Sequence, residues 1–273
     1  MKKQLTLLFI SMMTPSLFAA VPTPQNMREF LTDFSEPLGI TINGGNFNSS
    51  AYLSGIPHFN LESGVTALEC EIKNPVGEGN LKTSISVFYA KATFGLFKGF
   101  NPTTSWKGFM GIETGIKGYG SPLFGTLNKY KEKSPFGLSL TGKLNLLKNK
   151  GLIPAFSFFF DYNSLLSMKF QFIDRQTHEK ANSSINMSTL AYHLELRESL
   201  PLVDIYTGFA WLTPSMKGTY TINDYEREIN YTQGTLTQFH FGIAVPVELI
   251  DVNLEVGKAG KLGYYGAALG FRM

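Results

Sequence analysis

Phe136-Gly137-Leu138-Ser139-Leu140-Thr141-Gly142-Lys143-Leu144-Asn145-Leu146 alternates apolar with polar or small side chains along its whole length. Successive side chains of a β-strand point to opposite faces, so Phe136, Leu138, Leu140, Leu144 and Leu146 share one face. Ser139, Thr141, Lys143 and Asn145 share the other. The pattern returns in Leu190-Tyr192-Leu194-Leu196 against Ala191-His193-Glu195-Arg197, and in Phe239-Phe241-Ile243-Val245-Val247 against Gln238-His240-Gly242-Ala244. Near the C-terminus, Tyr265, Ala267, Leu269 and Phe271 oppose Tyr264, Gly266, Ala268 and Gly270.

Extended along the chain, alternation predicts an all-β protein of about twelve antiparallel strands, with a range of roughly 10–14. They fall near 39–48, 57–70, 83–97, 106–117, 134–147, 151–162, 164–174, 184–197, 201–222, 229–247, 249–257 and 261–272. Many run to about 10–14 residues, against about 5–6 for an ordinary strand and about 9–11 for a tilted strand crossing a bilayer. Length therefore favours a transmembrane β-barrel over an exported soluble β-sandwich, whose strands also alternate. Asn163-Ser164, Ser199-Leu200-Pro201 and Leu249-Ile250 read as tight turns, and the polar segments 175–183 and 223–228 as longer outer loops. Tyr162, Tyr206, Trp211 and Tyr231 are candidates for interfacial girdles.

The composition agrees. Charged residues make up 16% of the 273 and hydrophobic residues 43%, a balance unlike that of a disordered chain. The formal charge of +3 falls to +1 without Lys2 and Lys3, so no nucleic-acid footprint remains. A single cysteine, Cys70, excludes an internal disulfide framework and a cysteine-based zinc cluster.

Residues 1–20 read as a signal peptide: Lys2-Lys3, an apolar run through Ile10, and the small pair Ala19-Ala20. After Ala20 no apolar run approaches the ~18–20 residues of a spanning helix. The expected location is the outer membrane of a diderm bacterium. Residues 21–38 are expected to form a plug or cap helix and 39–273 the barrel, with outer-membrane lipid as the partner of its outer face. In the helix, Met27, Phe30, Leu31 and Phe34 recur at spacings of three and four, and Pro37 marks the expected end. That stripe lies outside the barrel sequence and must bury against something. The alternatives are a hatch along a ligand path, a cap that fills the barrel, or an amphipathic helix on the membrane surface.

Chemistry-bearing constellations are sparse. His58, His178, His193 and His240 are scattered and no metal-ligand spacing appears, so neither a metal nor a cofactor is expected. No nucleophile elbow is present, and the chain is not expected to be an enzyme. Lys143, His193, Glu195, Arg197 and His240 project from polar faces and are the candidate lumen residues. Such a row either sets selectivity and fixes a plug or simply solvates a wet interior. Gly and Ala on the same faces leave room for a ligand. Pro154 and Pro246 fall within expected strands, where a missing ladder donor marks either a kink that opens the wall or a strand end.

The stretch Phe34-Ser35-Glu36-Pro37, followed by Ile42-Asn43-Gly44-Gly45 and Ala51, resembles the entry segment of an uncharacterised family of bacterial outer-membrane β-barrels. Leu200-Pro201-Leu202-Val203-Asp204-Ile205-Tyr206, Lys217-Gly218-Thr219-Tyr220, Phe241-Gly242-Ile243-Ala244 and the end from Gly263 to Phe271 resemble the same family. More distantly, the plan is similar to that of FadL-like transporters. That likeness implies passage of small hydrophobic molecules past an N-terminal hatch, though no ligand residue carries over. The function expected is such transport. The alternatives are a structural or surface-interaction barrel with a filled lumen, and an exported β-sandwich binding protein.

Overall fold

The computed structural model describes residues 23–272, except 46–55, 57, 77–78, 103–107, 121, 123, 134–135, 149–153, 174–179 and 223–224. The expected signal peptide, 1–20, lies outside the described residues, as do 175–179 and 223–224 of the two expected outer loops. The chain enters through a helix, α1 (Pro24–Asn43). The strands that follow are β1 (Phe59–Lys73), β2 (Asn80–Phe97), β3 (Gly111–Tyr119), β4 (Lys131–Lys133), β5 (Phe136–Leu147) and β6 (Ala155–Ile173). After them come β7 (Lys180–Ser199), β8 (Asp204–Ile222), β9 (Tyr225–Thr232), β10 (Leu236–Val247), β11 (Ile250–Ala259) and β12 (Leu262–Arg272).

The sheet is antiparallel and closed. β12 returns to β1 in register from Asn60↔Arg272 to Leu68↔Tyr264. One long strand, β8, serves two neighbours: Asp204–Leu212 pairs with β10 and Ser215–Ile222 pairs with β9. β9 and β10 therefore occupy one position in the wall, and β4 only lines the far part of β6, so the barrel has ten positions. The break between β9 and β10 has a local cause in Pro214. Its carbonyl accepts from the Gln233 amide at 2.9 Å, so the side of β8 on which proline lacks a donor faces the interruption.

Ten lies at the low end of the expected range, and two differences account for it. The segment 39–48 is not a strand up to Asn43; it continues α1 straight through Pro37. The alternation of Gly39-Ile40-Thr41-Ile42 imitates a strand, yet these residues are buried on every side within the ring. Surrounding packing therefore overrides the weak helix propensity of the β-branched residues. The expected strands 151–162 and 164–174 are two parts of β6, and Asn163-Ser164 is no turn. Asn163 points inward, pairs with Thr189 and Ser139 across the two ladders, and accepts a hydrogen bond from the Tyr119 hydroxyl. Its polarity belongs to the lumen.

The outer face explains the length of these strands. On β7 and β8, Leu190, Tyr192, Leu196, Phe209 and Trp211 are exposed large apolar side chains, whereas the same face continues as Asn182, Ser184, Asn186, Ser188, Ser215, Lys217, Thr219 and Thr221. Half of each strand supplies the roughly 9–11 residues that cross a bilayer, and the other half projects beyond it with a polar exterior. The apolar half adjoins the short 199–204 and 247–250 connections and the end of β12, here the terminal rim. The projecting half ends at Lys73, Ile173, Ile222 and Ala259, here the extended rim. Among the described residues no helix is long and apolar enough to cross a membrane; the strands do so.

Candidate functional site

The lumen is the candidate site, and α1 fills its extended half. The helix begins at a capped end: Thr23 Oγ1 accepts from the Asn26 amide at 3.1 Å, and Pro24 takes the first turn, where no donor is lost. Met27, Phe30, Leu31, Phe34, Leu38, Ile40 and Ile42 are all 0% exposed. Phe30 stacks on Phe34 at 5.6 Å between centroids and meets Phe172 edge-on at 5.5 Å. Phe34 meets Phe124 at 5.3 Å and Phe170 at 5.8 Å. A bulge in β6 between Leu165 and Met168 turns Met168 and Phe170 inward and places Lys169 on the outside. Full burial of an apolar side chain contributes roughly 1.5–3 kcal/mol, so these seven hold the helix with about 10–20 kcal/mol, an upper figure.

The C-terminal end of α1 is held by the wall at mid-barrel. Lys117 Nζ, on the inner face of β3, donates to the carbonyls of Ile42 and Gly44 at 3.2 Å each, placing a cation at the negative end of the helix dipole. The ammonium lies 5.3 Å from the centroid of the Tyr89 ring and 5.1 Å from that of Tyr119. Thr66 Oγ1 donates to Thr41 O at 2.7 Å, and Asn43 Nδ2 to Gln238 Oε1 at 2.9 Å. Gly45 follows at φ 70°, where a Cβ would stand 2.6 Å from the Tyr89 ring, so the turn out of the helix requires glycine.

Toward the terminal rim the interior is polar and paired. Lys143 Nζ faces Glu113 at 3.5 Å, and Asn145 Nδ2 donates to the other oxygen of that carboxylate at 2.7 Å. His193 Nε2 sits 3.0 Å from Asp161, which also accepts from Thr141, and the imidazole stacks on Phe159 at 4.1 Å. His240 Nε2 is 3.5 Å from Glu195, and Arg197 pairs with Asp204. Tyr264 donates to Glu255 at 2.9 Å and Tyr89 to Glu62 at 3.1 Å. All of these side chains are buried. Charges removed from water in this way need partners, and here strands at adjacent or next-but-one positions supply them.

The five candidate lumen residues Lys143, His193, Glu195, Arg197 and His240 thus all face inward: Lys143 and Arg197 pair with Glu113 and Asp204, His193 lies beside Asp161, and His240 lies beside Glu195. The four helix residues Met27, Phe30, Leu31 and Phe34 lie in a different layer, nearer the extended rim, among aromatic rings. The space expected beside lumen glycines is taken: a Cβ at Gly242 would fall inside the Tyr206 ring, and one at Gly257 inside the Tyr264 ring. Tyr206, expected in a girdle, is buried inward, while Tyr162 and Trp211 are on the outer face and Tyr231 faces the helix end of the lumen. Pro154 lies just before β6 and Pro246 pairs opposite Asp251 at the end of β10, so both are at the terminal rim. Among the described residues no cluster of three or more metal-ligating side chains occurs.

Sequence reasoning missed Lys117, Thr66, Gln238, Asp161 and Glu113. The signal available was inward parity, since Lys117 and Glu113 alternate with Ile112 and Ile116 as strictly as Lys143 does with its neighbours.

No protein-family model and no curated protein matches the chain. Among solved structures, the translocator domain of the autotransporter NalP from Neisseria meningitidis matches with a TM-score of 0.54 at 9% identity, covering 91% of this chain and 98% of that one. The transport unit of the autotransporter AIDA-I from Escherichia coli matches at 0.41 and 12%, covering 88% and 97%. The toluene transporter TodX from Pseudomonas putida matches at 0.41 and 7%, covering 84% and 93%. The likeness to NalP shows the fold, a bacterial outer-membrane β-barrel with an N-terminal helix. TodX is one structural neighbour among several of other kinds.

Proposed function

We propose that this outer-membrane barrel is closed by its own helix and works at its extended rim, as a structural or surface-interaction barrel. One observation carries the reading: the seven apolar side chains of α1 are wholly buried against the wall. Withdrawing them costs about 10–20 kcal/mol, more than the entire stability of many domains, so thermal motion does not swing the helix aside. Buried polar pairs line the second half of the path behind it. The polar projecting halves of β7 and β8 favour the extended rim as the outward one, since outer-membrane barrels carry their longer connections on that side.

Planar-bilayer conductance tests this. The full-length barrel is expected to be silent, and a chain lacking 24–43 to conduct; steady conductance by the intact barrel would overturn the reading.

Passage of small hydrophobic molecules is the second reading. The ring of Phe30, Phe34, Phe124, Phe170 and Phe172 supports it, since these offer an apolar ligand a surface if the helix yields. It requires a ligand whose affinity for the open state exceeds its affinity for the closed one by the cost of withdrawal. Uptake of an apolar dye into proteoliposomes by the intact chain would favour it.

A further inference from the structure

We propose that the crevice between the first half of α1 and the inner face of β9 binds an anionic saccharide, a sugar carrying phosphate or carboxylate. The crevice encloses about 700 Å³, within the range of small-molecule sites and larger than a bare phosphate needs. Arg28, Thr32, Tyr220, Arg227 and Tyr231 line it together with two acids. The charges are unequally committed. Glu29 is held by Lys73 Nζ at 3.4 Å and Gln25 at 2.8 Å, and Asp33 accepts the Lys73 amide at 3.1 Å. Arg28 and Arg227 make no hydrogen bond or ion pair with any described residue, so the crevice presents two guanidinium forks and few competing anions.

Arg227 reaches inward because β9 pairs in register with β8: Met216, buried in the lumen, stands opposite Tyr231, which puts Tyr231, Ile229 and Arg227 on the helix side and Glu226 and Glu228 outside. The first turn of α1, Pro24 and Gln25, borders the same space. Guanidinium recognises phosphate or carboxylate through paired hydrogen bonds. Tyr231, half-buried, supplies ring surface against which a sugar ring can lie and is fixed by donating to Gln233, while the buried Tyr220 lines the crevice from the wall. The proposal rests on the rim reading above, but binding and conductance are read separately, so either can fail alone.

The test is calorimetric titration of the full-length barrel in neutral detergent with glucose 6-phosphate, alongside glucose and inorganic phosphate. Glucose 6-phosphate is expected to bind more tightly than either, with an affinity that falls as salt is added. R28A and R227A should each weaken binding about tenfold or more, the range expected for hydrogen bonds to a charged group. E226Q/E228Q, on the opposite face of β9, should leave it unchanged. Nanodiscs with and without a phosphorylated glycolipid distinguish the source: competition assigns the sugar to a membrane lipid, its absence to a soluble saccharide. No binding of glucose 6-phosphate, or undiminished binding by an R28A/R227A barrel that still shifts on a heat-modifiability gel, overturns the proposal.

Discussion

Stepwise truncation of the α1 stripe turns the closed-barrel reading into a quantity. Phe34 touches Phe30, Phe124 and Phe170 and is fully buried, so Phe34→Ala should cost about 3–5 kcal/mol. Set against the roughly 10–20 kcal/mol holding the helix, that loss lowers stability but leaves the helix seated. Adding Phe30→Ala and Leu31→Ala brings the summed loss to about 8–15 kcal/mol, which makes withdrawal thermally accessible. The expected result is a lowered midpoint on the heat-modifiability gel for F34A with bilayers still silent, and transient channel openings for the triple variant. Openings in F34A alone would mean that the stripe contributes far less than its burial indicates. A triple variant as silent as the parent would mean that the ion-paired layer closes the barrel without the helix. Either result would refute the reasoning.

Further outcomes follow from particular contacts. Lys117→Met should lower unfolding stability by about 2–4 kcal/mol in urea titrations, because the carbonyls of Ile42 and Gly44 lose their donor in a buried setting. Gly242→Ala should cost about 1–3 kcal/mol by displacing the Tyr206 ring, whereas alanine at Gly118, where a Cβ meets nothing, should be close to neutral by the same measurement. Burial raises the carboxyl pKa of Asp33 and of Glu36 above their ordinary values of 3.8 and 4.5. The folded state then holds those protons to higher pH than the unfolded one. Their contribution to stability is therefore greatest below the ordinary values and is lost as pH rises through the raised ones. Thermal midpoints of a D33N/E36Q barrel measured from about pH 4 to pH 7 should accordingly vary less with pH than those of the parent.

The wall was legible because lipid enforces period two along every spanning strand, and β5 displays it from Phe136 as far as Asn145. The stripe Met27, Phe30, Leu31 and Phe34 was legible for the same kind of reason, at a helical period. What escaped were features decided by neighbours distant in sequence. Asn163 looks like a turn until Tyr119 is placed beside it, and Ile40-Thr41-Ile42 look like a strand until a ring of strands encloses them. At the site, inward parity identified Lys143, His193, Glu195, Arg197 and His240, but not the carboxylates beside Lys143 and His193. Glu113 and Asp161 lie on other strands and meet them only once the barrel register is set. Arg28 and Arg227 carry no sequence signal, because a helix and a hairpin 199 positions apart in the chain bring them to one crevice.

The direction of α1 sets an order of events in assembly. The helix starts at the extended rim beside Lys73 and Tyr220, runs inward to Gly45, and is followed by β1, which starts at the opposite rim. The last seam, β12 onto β1, closes a ring around a rod that is covalently continuous with the first stave. A hoop already shut would have to be threaded, leading with the chain preceding Pro24. A hoop drawn shut around the rod needs no threading, and the apolar stripe then serves as the former on which the staves gather. The same residues that stopper the finished barrel would thereby set its girth while it is being made.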